Sequence, residues 1–138
     1  MMSRHDLKRN HTKLLRECMS AFAELHEWSF VKDTDLKNGF VALAHADQWV
    51  KRADWDLGVQ TWNIVAVALA KCISDAMEAD SKSSYDLWKC NENFLFFTEL
   101  LLRVQKHIRE VTTHITREYP NVSELPWEDA DKLLRVAV

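Results

Sequence analysis

Only two glycines and two prolines occur among the 138 residues of this chain. Average usage would give roughly 10 glycines and 7 prolines at this length. Sheet proteins need these residues for the tight turns between strands. A chain with so few of them can be built from long helices joined by short polar segments. We therefore predict an all-α fold: a compact bundle of about four long helices plus a short C-terminal helix.

The composition is that of a globular protein without a strong overall charge. Hydrophobic residues make up 47% of the chain, well above the range of disordered sequences. We expect residues 1–138 to form a single helical domain, since this length suffices to bury a core. A net charge of −3 provides no positive field that would attract DNA, RNA or an anionic membrane.

Three features favour a cytoplasmic location. The first ten residues carry several charges and one leucine, so they lack the apolar region of a signal peptide. The apolar run 64–70 is much shorter than the ~20 residues that a membrane span requires. Cys18, Cys72 and Cys90 lack the spacing of zinc ligands, and we expect buried thiols in a reducing compartment.

Apolar residues recur at helical spacing in four long segments. The predicted helices cover residues 3–28, 35–53, 59–79 and 85–118. Candidate N-caps for the second helix are Asp33, Thr34 and Asp35. Gly39 costs up to ~1 kcal/mol relative to alanine inside a helix, which leaves open a start after this residue. Segments 54–58 and 80–84 are the predicted joints, and Pro126 suits the first turn of a short last helix.

The fourth predicted helix is apolar around more than one stripe. Contiguous apolar surface of this kind marks contacts between molecules. We expect a homodimer that uses four residues of this segment: Phe94, Phe96, Phe97 and Leu101.

Motifs for cofactors and metals are missing. Gly39 and Gly58 alone cannot form a glycine-rich phosphate loop. His107 and His114 are seven residues apart, about 10.5 Å along a helix, which is too far to chelate one ion. We expect surface or capping histidines here, and no cofactor or metal site. The pair Glu24 and Glu27 resembles one magnesium-binding motif of the all-α nucleotide pyrophosphatases. The second motif of that family, Glu-x-x-Asp, is missing at the position expected for it. We therefore expect Glu24 and Glu27 to lie on a solvated helix face.

One segment resembles a known enzyme family. Arg109 and His114 are separated by four residues near the end of a long helix. This pattern resembles the HEPN family of all-α ribonucleases, although that family usually carries Asn, Asp or His after the arginine, where this chain has Glu110. The resemblance implies metal-independent RNA cleavage, in which the histidine moves a proton and the arginine holds a phosphate oxygen. It also implies a site formed across a homodimer.

The surplus of tryptophan favours a different function. Tryptophan is prominent among the residues that dominate interface energies. Trp55 and Trp62 are seven residues apart and share one side of a helix, while Trp49 and Trp127 lie near predicted helix ends. We expect these four to form an aromatic-rich face that binds a protein partner. Our leading interpretation is a small non-enzymatic interaction module, such as a regulator, inhibitor or assembly subunit, with the ribonuclease as the alternative.

Overall fold

The computed structural model describes residues 3–27, 31–80 and 84–118, and it describes side chains within 3–27, 31–76 and 95–116. Four helices make up this part of the chain: α1 (Arg4–His26), α2 (Asp33–Lys51), α3 (Trp55–Asp80) and α4 (Ser84–Glu118). The described residues contain no strand. The predicted all-α bundle of four long helices is therefore confirmed. The predicted short helix after Pro126 lies outside the described residues.

Each helix packs against two neighbours. α1 contacts α2 and α4, and α3 contacts the same two helices. All four contribute to one buried cluster, which includes Phe22, Leu43, Leu69 and Leu100. An ion pair between Arg103 and Glu17 also joins α4 to α1. The result is a four-helix bundle in which the residues of each apolar stripe face the centre.

Local signals explain the start of α1. Ser3 is the N-cap, and its hydroxyl accepts a hydrogen bond from the Asp6 backbone N–H at 3.2 Å. The Asp6 carboxylate in turn accepts a bond from the Ser3 backbone N–H at 3.3 Å. This reciprocal capping box satisfies two donors that the first turn leaves unpaired. The predicted start of the first helix agrees with the observed one.

The start of α2 differs from the prediction. Lys32 is the N-cap and makes no side-chain capping bond, while Asp33 and Asp35 lie in the first turn, where acidic groups favour the positive end of the helix. The helix runs through Gly39 and does not start after it. A Cβ atom added at Gly39 would lie 2.5 Å from the Phe22 ring, so glycine at this position makes room for the core of α1.

The segment 54–58, predicted as a joint, is mostly helical because α3 begins at Trp55. Ala53 takes the left-handed conformation, with φ 59°. Its backbone N–H donates to the Val50 carbonyl at 3.0 Å, and the Asp54 N–H donates to the Trp49 carbonyl at 2.9 Å. This bonding closes α2 in a Schellman motif without a glycine. The Asp54 carboxylate then accepts the N–H of Leu57, so the connection needs only residues 52–54.

α3 is the most apolar helix of the bundle. Its stretch Trp55–Ala76 has a mean hydropathy of 1.3 and is the one helical stretch, within the described part of the chain, long and apolar enough to cross a membrane. In the bundle 56% of this stretch is buried. Val65 and Leu69 lie in the core with no exposed surface. The apolar composition of α3 is thus matched by contacts with α2 and α4.

α4 is continuous over its 35 residues. Its buried residues are Phe97, Leu100, Val104, His107, Val111 and Ile115, which follow each other at intervals of three and four. This stripe faces the core. The neighbouring positions Leu101 and Ile108 are half-buried against the same core. They bring the edge of α4 alongside α3 and form part of one wall of a groove between the two helices.

Candidate functional site

A groove with a volume of about 430 Å³ lies between α3 and α4. We call it the α3–α4 groove. Its α3 wall consists of Asn63, Ala66, Val67 and Ala70, and its α4 wall consists of Leu101, Gln105, Ile108 and Arg109. The residues of each wall are spaced so that they share one side of their helix. Because alanine side chains end at Cβ, α3 presents a low surface beside the larger side chains of α4.

The groove has an apolar floor and a polar margin. Ala66, Leu101 and Ile108 pack against the bundle core from below. Val67 is 38% exposed although it lies beside this core. Asn63 is held in place because its side-chain amide donates to the Val59 carbonyl at 3.0 Å. Such a surface suits the apolar stripe of an amphipathic helix, with polar contacts along its edges.

The charge in the groove is concentrated at one residue. Arg109 is the one ionisable residue among the described residues that line it. An arginine stays protonated in proteins and cannot accept a proton at neutral pH. General acid–base chemistry needs a group that gains and loses protons in that range. The lining residues can therefore bind a ligand and attract a carboxylate, but they supply no proton-transfer group.

Two of the four tryptophans expected to bind a partner lie inside the bundle. Trp62 is 1% exposed and Trp55 is 4% exposed. They do lie on one side of α3, but that side faces the other helices. The spacing of the two residues indicates that they share a side and carries no information on whether the side is covered. An accessible aromatic face therefore cannot include Trp55 and Trp62.

Trp49 is the one of these four that lies at the surface of the described part. It is half-buried in the last turn of α2. The guanidinium carbon of Arg52 lies 5.4 Å from its ring centroid, in a cation–π contact. Trp127 lies outside the described residues. The aromatic surface is therefore smaller than the sequence suggests, and the α3–α4 groove is the better candidate site.

The residues expected at a dimer interface differ in their exposure to solvent. Phe97 is 2% exposed and belongs to the core, and Leu101 is half-buried in the α3–α4 groove. Phe96 is exposed, with its ring 5.5 Å from that of Phe97. The side chain of Phe94 lies outside the described residues. Of the three residues whose side chains are described, only Phe96 is available on an open surface.

The four residues named for a dimer interface do not include the most exposed large apolar residues among the described side chains of α4. Leu95 is 67% exposed and Leu102 is 58% exposed. They are seven residues apart, so they lie on the same side of the helix. We call this pair the Leu95–Leu102 stripe. The sequence does not single out this pair, because a nearly continuous apolar run does not show which positions face outward.

Arg109 and His114 do not meet within one chain. Five helical residues correspond to about 140° of rotation, so the two side chains leave α4 in different directions. Arg109 lines the α3–α4 groove. The His114 ring lies against Trp55, with centroids 6.2 Å apart. Glu110, where the HEPN family has other residues, approaches Lys106 at 4.0 Å. A site that uses both Arg109 and His114 would need a second chain.

A buried polar network lies between α1, α2 and α3, and sequence analysis did not find it. The Trp62 indole N–H donates to His11 Nδ1 at 3.0 Å. Since indole can only donate, the proton of the neutral His11 ring is on Nε2, which donates to Asp47 Oδ1 at 3.1 Å. Burial lowers the pKa of His11, which favours this neutral form. His11 follows Leu7 by four residues and precedes Leu14 by three, so it lies on the apolar side of α1. That spacing is the sequence signal from which its burial could have been predicted.

Asp47 anchors the outer end of this network. Lys51 forms an ion pair with its second carboxylate oxygen at 2.8 Å. Partial burial raises the pKa of Asp47, but the hydrogen bonds from Lys51 and His11 outweigh that effect and hold the pKa below its usual range. Asp47 is therefore ionised at neutral pH and orients the His11 ring. The network has the role of a structural link between helices.

His107 is buried beside this network, which corrects the expectation of a surface or capping histidine. The side chain is 2% exposed, and neither ring nitrogen has a hydrogen-bond partner among the described residues. Its ring packs against Trp62 and His11, with centroid distances of 5.6 and 6.4 Å. Burial lowers the pKa of His107 to about 4, and the nearby His11 acts in the same direction. The ring is therefore neutral in the core.

A pair of acidic side chains joins α2 and α3 away from the groove. Burial raises the pKa of Asp35, and a hydrogen bond with Asp75 raises it further. The backbone N–H of Lys32 donates to Asp75 at 3.3 Å. No group of three or more potential metal ligands occurs among the described side chains. This pair is therefore explained as a contact between helix ends.

Both cysteines with described side chains behave as small core residues. Cys18 and Cys72 are free thiols with no exposed surface. Burial raises the pKa of each thiol to about 12, so both are protonated and unreactive at neutral pH. The expectation of buried thiols is confirmed for these two residues, and the side chain of Cys90 lies outside the described residues.

No protein-family model, no curated protein and no solved structure matches this chain. Among the described surfaces, the α3–α4 groove combines concave shape, apolar floor and polar margin. The buried histidines lack solvent access, and the acidic pair is already used between helices. The groove is therefore the candidate functional site.

Proposed function

We propose that this chain is a small, non-enzymatic protein–protein interaction module that binds an amphipathic helix of a partner protein in the α3–α4 groove. The observation that carries the proposal is an apolar floor, open to solvent, between two helices that present matched walls. Exposed concave apolar surface on a small protein marks binding sites. A helix laid in a groove is a recurrent way for such a surface to be covered.

The dimensions of the groove define the chemistry of the partner. Its α3 wall extends from Asn63 to Ala70, about 10.5 Å along the helix, which is two helical turns. A partner helix would place apolar residues at intervals of three and four against Val67 and Ile108. Arg109 at the margin favours a carboxylate on the partner, because charge-assisted bonds to arginine are among the stronger polar contacts.

A binding role, and not catalysis, is supported by where the ionisable groups lie. Arg109 is the one such residue among the described groove residues. His11 and His107, which could move protons in an open site, are buried in the core. A cytoplasmic regulator, inhibitor or assembly subunit acts by binding its partner, and the groove alone could provide that binding surface. Cytoplasmic location is part of this proposal, and reduced core thiols are in keeping with it.

Self-association is a second proposed contact. The Leu95–Leu102 stripe exposes more of its side chains than any other large apolar residues with described exposure. Phe96 adds exposed surface on an adjacent side of α4. A second copy of the chain would cover these residues, so we propose a homodimer that uses them and not Phe97. Light scattering that gives a mass near 32 kDa, twice the 16.1 kDa of one chain, supports it; a mass of one chain at micromolar concentration contradicts it.

The binding proposal is tested with groove variants of the full chain. Affinity capture from native cells would compare wild type with Val67→Asp, which places a charge on the apolar floor. Met19→Asp is the matched control, because Met19 is an exposed apolar residue on α1, outside the groove. Each candidate partner is then purified and its affinity measured against the same three proteins.

The expected result is a partner whose affinity falls at least ~10-fold, or about 1.4 kcal/mol, with Val67→Asp and is unchanged with Met19→Asp. Arg109→Glu should weaken the same partner more than Arg109→Lys does. If every purified partner binds the groove variant and the control equally well, the groove is not the binding site.

A further inference from the structure

α4 leads into a segment whose sequence fits the α3–α4 groove. The helix ends at Glu118, and twenty residues, 119–138, follow it. Arg109 marks the near end of the groove and lies nine residues before the end of α4, about 13.5 Å along its axis. We infer that segment 119–138 binds in the α3–α4 groove of its own chain and competes with the partner helix. The inference rests on the proposed function only in that both helices share this groove.

The segment is long enough to reach. Residues 119–125 contain Pro120, which cannot continue the helix, and can span up to about 23 Å. That exceeds the distance of about 13.5 Å back to Arg109. The remaining residues, 126–138, would form a helix of about 19.5 Å, and the α3 wall of the groove is about 10.5 Å long. A direct return along α4 therefore places 126–138 over the groove without strain in the connection.

The sequence of 126–138 carries the pattern that the groove selects. Trp127, Ala130, Leu134 and Ala137 follow each other at intervals of three and four, as in the apolar stripe of a helix. The groove floor offers apolar surface at Val67 and between the two walls. A stripe with two large and two small residues can lie on a floor that contains Ala66 and Ala70.

The charges of the segment agree with the direction of the chain. A segment that turns back runs antiparallel to α4, so its first residues meet the end of the groove that holds Arg109. The acidic residues are at that end: Glu128, Asp129 and Asp131. Lys132 and Arg135 come later, away from Arg109. Opposite charges across a contact fix its register and orientation.

This arrangement gives the groove a built-in competitor. A tethered segment acts at an effective concentration in the millimolar range, so even a weak contact is populated. A partner helix must then displace residues 126–138 before it binds. The apparent affinity of the partner is reduced by the fraction of chains in which the groove is occupied. The segment thus sets a threshold for binding and covers the apolar floor when no partner is present.

Hydrogen–deuterium exchange of the full-length protein alone tests the inference. We expect amides in 126–138 to exchange at least ~10-fold more slowly than in a synthetic peptide of the same sequence. Val67→Asp should remove this protection, and Met19→Asp should leave it unchanged. Because a groove variant could disturb folding, Leu134→Ser is made as well, with Lys132→Ser as its control. Protection of α3 reports that each variant is folded.

The results separate the inference from its alternatives. Peptide-like exchange in the wild type, or protection that Val67→Asp and Leu134→Ser both leave intact, overturns it. Protection that rises with protein concentration shows that the segment binds a second copy instead, which also overturns binding within one chain. No partner is needed for this measurement. If the segment is protected but no partner is sensitive to Val67→Asp, the proposed function fails while the intramolecular contact stands.

Discussion

The core around His107 and the α3–α4 groove depart from the usual distribution of polar and apolar groups in opposite directions. The core holds three polar rings, His11, Trp62 and His107, of which His107 has no hydrogen-bond partner among the described residues. The groove exposes Val67 as part of its apolar floor. Buried polar groups reduce stability unless they are paired, and exposed apolar grooves favour binding. The core should therefore determine stability and its pH dependence, whereas the groove should determine recognition.

The largest effect on stability is expected at Trp62. Trp62→Ala removes a ring that is 1% exposed and takes away the donor to His11 Nδ1. We expect the free energy of unfolding to fall by about 3–5 kcal/mol. Trp49→Ala, at the half-buried tryptophan beside Arg52, should cost about 1 kcal/mol or less. Denaturant unfolding measures both changes, and equal costs would show that the two tryptophans are not divided between core and surface.

The next largest effect is a pH dependence due to His107. Its pKa is about 4 in the folded chain and 6.5 in an unfolded one, so the unfolded state binds the proton first as pH falls. Its contribution is complete above pH 6.5 and is lost between pH 6.5 and 4, by up to ~3 kcal/mol. His107→Leu should flatten this part of the stability curve and should not lower stability at pH 7. An unchanged pH profile would mean that the pKa of His107 is the same in the folded and the unfolded chain.

A smaller effect distinguishes the two glycines. Gly39→Ala forces a Cβ to within 2.5 Å of the Phe22 ring, and we expect a loss of about 1–3 kcal/mol. Gly58→Ala is the matched control, since its Cβ would meet Val50 at 3.4 Å, an ordinary contact. It should be neutral or stabilise α3 by up to ~1 kcal/mol. Thermal unfolding decides, and stabilisation by Gly39→Ala would contradict the packing of α1 on α2.

The smallest effect on stability is expected in the groove. Val67→Asp changes a partly exposed side chain, and we expect the free energy of unfolding to change by about 1 kcal/mol or less. The same substitution should weaken binding at least ~10-fold. Denaturant unfolding and the binding assay, run on the same variant, test whether a large loss of affinity occurs with a small loss of stability. A large loss of stability would assign Val67 to the core and remove the contrast between the two regions.

Much of the fold could be predicted from the sequence because helical periodicity is a local property. The span of α4, 84–118, was predicted to within one residue at its start. The starts of α2 and α3 were displaced because their signals are not the usual ones. Lys32 begins α2 without a side-chain cap, and Ala53 occupies a left-handed position that glycine commonly takes. Neither choice can be recognised from composition.

The candidate site was harder to predict because it depends on how helices pack. Trp55 and Trp62 were correctly placed on one side of α3, but helix spacing does not reveal whether a side is covered. His107 occupies an apolar position of α4, between Val104 and Val111, and its burial could have been inferred from that pattern. The groove itself arises from two small residues on one helix opposite larger ones on another, and no single segment contains that information.

Photo-crosslinking at the groove floor tests the central claim most directly. A photo-reactive phenylalanine replaces Val67 in the full chain, with a matched protein carrying it at Met19, and both are irradiated in native cells. We expect crosslinks at position 67, absent at position 19, to a helical segment of a partner protein or to residues 126–138 of the same chain. Equal crosslinking from the two positions, or none from position 67, would contradict the claim that the α3–α4 groove binds a helix.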